Sequence, residues 1–196
     1  TTTMMIIAEY LKKIILFIIF IIFSSVLLSG CQQATTPKKS SGKKPISEME
    51  VVVYYPIYID KKGDFLVREV HKIPEDEEKE KAALTELFRG NPKTKKAYAV
   101  IPRNTTILSL KIKNGLATID LSREIFNHDS GAIGESLGIS SIVNTLTEFD
   151  NIKKVKFKVE GKEKGKVGNR DVESWWGHVG LSEQPFERDE KIILKP

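Results

Sequence analysis

Short segments of alternating hydrophobic and polar residues occur along the chain, and longer amphipathic segments separate them. Residues 51–55 form a continuous β-branched and aromatic run, which predicts a buried strand that Pro56 ends. A turn at 60–64 and a second strand at 65–72 follow. From Pro74 the apolar spacing predicts a helix with acidic residues in its first turn and Gly90 as its cap.

The second half of the chain begins with the clearest local signal, an Asn-Gly pair at 114–115. It separates two alternating segments, 106–113 and 116–121, and is the strongest short-range indication of a β-hairpin. Residues 132–149 then have a helical apolar stripe. Residues 153–160 alternate apolar residues with lysines, which predicts a strand with one solvent-facing side.

This order of elements predicts an α+β fold. One-sided strands and two amphipathic helices are typical of a two-layer sandwich, in which two main helices cover one face of a mixed or antiparallel sheet. No internal repeat interrupts the order. We therefore predict one domain over residues 48–188, followed by a C-terminal tail at 189–196.

The positive charge of the chain lies outside that domain. The 196 residues include 31 Lys and Arg against 26 Asp and Glu, a formal charge of +5. Residues 1–47 contain six of the basic residues and one acid, so residues 48–196 hold 25 of each kind. A nucleic-acid-binding domain needs clustered positive charge, and we therefore predict no nucleic-acid partner.

The first 31 residues resemble a bacterial lipoprotein signal. Lys12 and Lys13 precede an apolar run at 14–23, which is too short for a membrane span of about 20 residues but suits a signal peptide. Leu-Ser-Gly-Cys at 28–31 resembles the lipobox. The resemblance implies that residues 1–30 are removed and that Cys31 carries a diacylglyceryl anchor. The alternative is an uncleaved anchor helix with an incidental cysteine.

Residues 31–47 are polar and lysine-rich, and their composition is typical of a flexible tether. Two or more acyl chains at Cys31 would hold the protein stably on a bilayer. The N-terminal region therefore predicts a lipid-anchored protein at the extracytoplasmic face of the cell membrane.

The residue types limit the chemistry of the domain. One cysteine and three histidines do not supply a thiolate-rich or histidine-rich metal site, and we predict neither a metal nor a cofactor. Gly-Glu-Ser-Leu-Gly at 134–138 matches the nucleophile elbow of hydrolases, and Asp171 and His178 follow in triad order. The elbow needs a strand before the serine, whereas Ser136 lies in a predicted helix. We predict a non-enzymatic protein, with a Ser136 hydrolase as an alternative.

Lysines line one face of the last predicted strand. Lys154, Lys156 and Lys158 alternate with apolar residues, and Lys111 and Lys113 of the hairpin are candidates to lie nearby. Lysines on an exposed face or edge protect a sheet against aggregation. The alternative is a surface that binds an anionic polymer or lipid of the cell envelope.

A candidate partner-binding surface combines the second helix with the aromatic tail. Ile133 and Leu137 of the second helix point away from its main apolar stripe, so either a loop covers them or they are open to a partner. The paired tryptophans either extend an aromatic interface or pack over the sheet edge. The candidate residues are Ile133, Leu137, Ser140, Asn144, Trp175 and Trp176.

Three stretches of the domain resemble the GerMN domain of bacterial sporulation and spore-germination lipoproteins. Ile-Pro-Arg-Asn-Thr at 101–105 leads into Leu-Ala-Thr-Ile-Asp-Leu-Ser at 116–122. Ser-Ile-Val-Asn-Thr-Leu-Thr-Glu-Phe at 141–149 precedes the strand at 155–161. Gly-His-Val at 177–179 leads to Pro-Phe-Glu-Arg at 185–188.

The resemblance implies a fold similar to ring-building motifs and an assembly role in sporulation or spore germination. It implies envelope or sporulation-complex proteins as partners, with self-association possible, and it supplies no catalytic residue. The best-known family member carries two such domains in tandem, whereas this chain has one. Residues 169–176 look like an insertion relative to the family.

Overall fold

Two long antiparallel strands begin the part of the chain that the computed structural model describes, which is residues 47–75, 78–127 and 131–195. Strand β1 (Glu48–Ile59) pairs with β2 (Gly63–Pro74) along its whole length. The prediction that Pro56 ends β1 is wrong. The Pro56 carbonyl accepts the Tyr98 N–H at 2.9 Å, on the side of β1 that faces away from β2. The N–H that a proline lacks would point to that same side, so the β1–β2 pairing does not need it.

The first helix, α1 (Lys79–Arg89), begins later than predicted. Pro74 does not open it, because Pro74 is still paired with Glu48 at the end of β2. Gly90 ends α1 as predicted, with φ of 67° and ψ of 40°, the left-handed conformation that glycine adopts without strain. The buried face of α1 includes Ala82, Ala83, Leu84 and Leu87.

The predicted hairpin is confirmed. Strands β3 (Ile107–Lys113) and β4 (Leu116–Leu121) are antiparallel. Asn114 and Gly115 both have positive φ, at 52° and 79°, as a two-residue turn between twisted strands requires. A short 3₁₀ helix (Arg123–Phe126) follows β4.

The second helix, α2 (Gly131–Leu146), connects β4 to β5 (Lys154–Val159), which runs parallel to β4. Two parallel strands need such a crossover because the end of the first strand and the start of the second lie at opposite ends of the sheet. The alternation predicted for the last strand is confirmed, since Val155, Phe157 and Val159 are fully buried. The lysines between them point to the other face.

The described residues contain three sheets. Two-residue strand β8 (Phe186–Glu187) completes the order β3-β4-β5-β8, and β6 (Lys166–Val167) pairs with β7 (Arg170–Asp171). The mixed α+β class with two α-helices is confirmed. A single sheet was predicted, but β1 and β2 form their own sheet, which shares a hydrophobic core with the four-stranded sheet.

That core contains side chains from both helices and from both larger sheets, and it extends into the C-terminal region. Its members include Tyr55, Leu84, Ile119, Ile142, Phe157, Val172, Trp175, Trp176 and Leu181. No helix in residues 47–75, 78–127 or 131–195 is long and apolar enough to cross a membrane. Cys31, the predicted signal peptide and the tether up to residue 46 lie outside the described residues.

Candidate functional site

The predicted partner-binding face of α2 is mostly internal. Ile133 is 62% exposed and Ser140 is half-buried, but Leu137 is 1% exposed and Asn144 is fully buried. The expectation that these four side chains share an exposed face is therefore wrong. A segment near the C-terminus covers the helix.

Residues 192–194 lie along the outer edge of β2. The Leu66 N–H donates to the Ile192 carbonyl at 2.8 Å, and the Leu194 N–H donates to the Leu66 carbonyl at 2.8 Å. Leu137 packs in a cluster with Tyr54, Leu66 and the side chains of residues 192 and 193. Residues 192–194 belong to a segment that we call the C-terminal strap (residues 188–194). The strap covers Leu137.

Asn144 fastens the strap to α2. Its Nδ2 donates to the Asp189 carbonyl at 3.0 Å, and its Oδ1 accepts the Asp189 N–H at 3.0 Å. The side chain thus forms the two hydrogen bonds that a neighbouring strand would form. The Arg188 guanidinium also donates to the Asn144 carbonyl at 3.0 Å. Asn144 therefore holds the chain together internally instead of facing a partner.

A cluster of charged groups anchors the start of the strap. The Arg188 guanidinium donates to the Tyr54 hydroxyl at 2.6 Å, and that hydroxyl donates to Glu148 at 2.8 Å. Arg68 donates to the other Glu148 oxygen at 2.6 and 2.9 Å. Burial raises the pKa of Glu148, but the hydrogen bonds from Arg68 and Tyr54 outweigh it and lower that pKa below its ordinary value. The sequence did not reveal this cluster.

The paired tryptophans are core residues. Trp175 is fully buried and Trp176 is 4% exposed, so the predicted aromatic interface is wrong. The alternative, in which the tail packs its aromatics on the fold, is closer to what the structure shows. Trp175 lies 5.3 Å from the Phe157 ring, and Trp176 Nε1 donates to the Ile125 carbonyl. Val172, Trp175 and Trp176 of the 169–176 stretch therefore belong to the core.

The hydrolase constellation is not assembled. Ser136 is exposed on α2, and it forms no hydrogen bond with any residue in the described ranges. His178 Nδ1 lies 2.8 Å from Glu135, whose buried carboxylate also accepts the N–H groups of His178 and Val179 at 2.8 and 2.9 Å. Asp171 accepts the Glu173 N–H at 2.9 Å. His178 and Asp171 thus serve two separate local contacts, and neither is hydrogen-bonded to Ser136 in the described residues.

Glu135 is a positioning group in this arrangement. Burial raises its pKa, but the hydrogen bonds from His178 and Val179 outweigh burial and lower the pKa of Glu135 below its ordinary value. Glu135, which the elbow motif places next to Ser136, therefore holds residues 178–179 against α2.

A buried histidine lies between two carboxylates. His71 is 1% exposed. Its Nδ1 lies 2.7 Å from a Glu86 oxygen, and its Nε2 lies 2.7 Å from a Glu69 oxygen. Glu69 also accepts the N–H groups of Lys93 and Thr94 at 2.8 Å. Burial raises the pKa of Glu69, but the hydrogen bonds from His71, Lys93 and Thr94 outweigh burial and lower that pKa below its ordinary value. No group of three such residues in the described ranges could hold a metal ion.

We consider two of the open grooves in the described residues as candidate binding sites. The first, the α2 groove, has a volume of about 420 Å³ and is apolar. It includes two of the predicted partner-binding residues. Its lining is Asp64, Ala132, Ile133, Ser136, Leu137 and Ile192.

The second groove lies on the outer face of the four-stranded sheet and has a volume of about 610 Å³. The structure brings the hairpin lysines beside the β5 lysines, as the sequence suggested. We call this site the lysine groove. Its lining is Lys111, Lys113, Asn114, Leu116, Thr118, Lys156, Lys158 and Glu163.

Comparisons with known proteins identify relatives. The Germane family, described as sporulation and spore germination, matches residues 52–165, more than half of the chain. The spore germination protein GerM of Bacillus subtilis (strain 168) is 32% identical over 111 residues, which are 55% of this chain and 30% of that protein.

A solved structure agrees with the fold. The tandem GerMN domains of the sporulation protein GerM from Bacillus subtilis superpose with a TM-score of 0.57 at 25% identity, over 80% of this chain and 50% of that chain. The isolated first GerMN domain of the same protein gives a TM-score of 0.46 at 32% identity, over 61% of this chain and 93% of that one. This chain thus spans about a third of the curated relative and half of the solved tandem.

The family match runs from β1 to the turn after β5. The matched relatives are sporulation and spore-germination proteins. The chain belongs to the Germane family of sporulation and spore-germination proteins.

Proposed function

We propose that this protein is a non-enzymatic assembly module, lipid-anchored at the extracytoplasmic face of the membrane, which binds an envelope or sporulation-complex protein. The observation that carries the proposal is the family match over residues 52–165. Ser136, Asp171 and His178 are not hydrogen-bonded to one another in the described residues, which supports a role without catalysis.

The α2 groove is the surface that we assign to the protein partner. Ile133 is the most exposed large hydrophobic residue in the described ranges, at 62%, and it lies beside the strap residue Ile192 in the groove lining. Exposed apolar surface that is rimmed by polar groups is typical of protein interaction sites. Asp64 and Ser136 supply that polar rim.

The test is crosslinking and pull-down of the full-length protein from sporulating cells, compared with vegetative cells. Ile133→Asp should abolish capture of the partner without unfolding the protein, because the side chain is exposed. Leu108→Asp is the matched control, since Leu108 is also an exposed apolar residue, at 47%, on the distant strand β3. Equal capture by wild type and Ile133→Asp would exclude the α2 groove as the interface.

The membrane anchor is tested separately. Cys31→Ser removes the thiol that the lipobox-like segment would present for acylation. The variant should leave the membrane fraction or accumulate unprocessed, whereas wild type should sediment with membranes. If the variant is processed and fractionates like wild type, Cys31 is not the anchor.

A further inference from the structure

The register of the four-stranded sheet places two rows of lysines opposite each other. Lys111 of β3 is paired with Thr118 of β4, and Thr118 is paired with Lys156 of β5. One step along, Lys113 and Lys154 flank Leu116 in the same way. Successive lysines in a row are two residues apart, about 6.7 Å, and the rows are two strand spacings apart, about 9.5 Å.

The middle strand makes this face concave. Thr118 and Leu116 are shorter than the lysines on either side, and both are half-buried, so they form the floor of the lysine groove. A groove of about 610 Å³ with cations along both walls fits a linear chain. A flat bilayer surface would not reach its floor.

Protection of a sheet edge does not account for all of these lysines. Lys111 and Lys113 lie on β3, the outer strand, where such protection is useful. Strand β5 is paired with β4 on one side, and on the other β8 and the Gln184 side chain satisfy its backbone. Lys156 and Lys158 therefore do not lie on an open edge of the sheet.

The charges of the groove are only partly neutralised. All three β5 lysines are ion-paired. Lys154 lies 2.7 Å from Glu187. Glu163 lies 2.5 Å from Lys156 and 3.2 Å from Lys158, and their hydrogen bonds lower the pKa of Glu163. Lys111 and Lys113 form no ion pair with any residue in the described ranges. A ligand that brings negative charge would find two unpaired lysines on one wall, and it would compete with Glu163 on the other.

We propose that the lysine groove binds a linear polyol phosphate polymer and not a nucleic acid, with successive phosphates between the two lysine rows. All of the cations that line it are lysines, which bind phosphate as point charges. This inference does not depend on the protein-binding role of the α2 groove.

The experiment measures binding of the full-length protein to soluble poly(glycerol phosphate) at several salt concentrations. Affinity should fall steeply with salt, because ion pairs at an exposed groove are screened. Lys111→Gln/Lys113→Gln should bind about tenfold more weakly. Glu163→Gln should bind more tightly than wild type, since it frees two lysines. Lys62→Gln/Lys72→Gln, which removes the same charge from exposed positions on the β1–β2 hairpin, is the control and should bind like wild type.

Four outcomes would overturn the proposal. They are no binding by wild type, equal weakening in the control and the groove variant, equal affinity for polyglutamate of the same charge, or binding to phosphatidylglycerol vesicles without binding to the soluble polymer. Thermal unfolding of each variant verifies that it is folded.

Discussion

Gly138 tests how the tryptophan pair packs against α2. The substitution Gly138→Ala has two opposed effects. Alanine is favoured over glycine inside a helix by about 1 kcal/mol, because it restricts the unfolded backbone. A Cβ at position 138, however, would lie 2.6 and 2.7 Å from two carbons of the Trp176 ring. The sign of the change depends on whether that ring can move.

The surroundings of Trp176 oppose such a movement. The ring is 4% exposed, its Nε1 donates to the Ile125 carbonyl, and its centroid lies 5.2 Å from that of Trp175. Carbon atoms in contact are normally about 3.5–4.0 Å apart, so the ring would have to shift by about 1 Å. Overpacking of this kind costs about 1–3 kcal/mol, and a weakened buried hydrogen bond adds about 1 kcal/mol. After subtraction of the gain of about 1 kcal/mol from alanine, we expect a net destabilisation of about 1–3 kcal/mol.

Urea unfolding followed by tryptophan fluorescence measures this change directly, because the chain has two tryptophans and both are in the core. The same substitution in a Trp176→Phe background should cost less, since phenylalanine lacks the ring that Cβ meets. A double-mutant cycle gives the coupling, which should be about 1 kcal/mol. A stabilised Gly138→Ala variant, or an equal penalty in both backgrounds, would refute the packing argument.

Three further predictions concern the same layer of the molecule. Leu137→Ala should destabilise the fold by about 2–4 kcal/mol in urea unfolding, because it empties a buried cluster, whereas Ile133→Ala should change it by less than about 0.5 kcal/mol. Glu135→Gln should cost about 1–3 kcal/mol at pH 7, since three donors face its carboxylate. The pKa of Glu135 is lowered in the folded state, so its contribution is present above its ordinary pKa of 4.5 and is lost as the pH falls through the folded value. The melting temperature of Glu135→Gln should therefore depend less on pH below 4.5 than that of wild type. Asn144→Ala should speed hydrogen exchange at the Asp189 amide, and unchanged exchange there would show that the strap is held by other contacts.

Local signals in the sequence were sufficient for the elements that depend on neighbouring residues. Asn114 and Gly115 specify a turn whose positive φ angles are a property of those two residues, and the hairpin follows. The alternation in β5 identified its buried face because period-two patterning reports burial directly. The lysine groove was suggested for the same reason, since strand periodicity fixes which lysines share a face.

The errors concern contacts between distant parts of the chain. Pro56 was expected to end β1, but its tolerance depends on which edge of the strand faces β2. Leu137 was ambiguous because the strap that covers it lies more than 50 residues away and pairs with Leu66 through two backbone hydrogen bonds. Backbone pairing of this kind leaves little trace in side-chain patterns. The tryptophans were left between surface and core because the burial of Trp176 involves the small residue Gly138 on another element.

The two proposed surfaces are physically independent, and this makes the proposals separable. The lysines of the groove point away from the core that Phe157 and Ile142 share, whereas Ile133 lies in the first turn of α2. The two grooves have no lining residue in common. Ile133→Asp should therefore leave polymer binding unchanged, and Lys111→Gln/Lys113→Gln should leave partner capture unchanged. If either variant lost both activities while remaining folded, the partner and the polymer would have to share one site, and the assignment of two surfaces would fail.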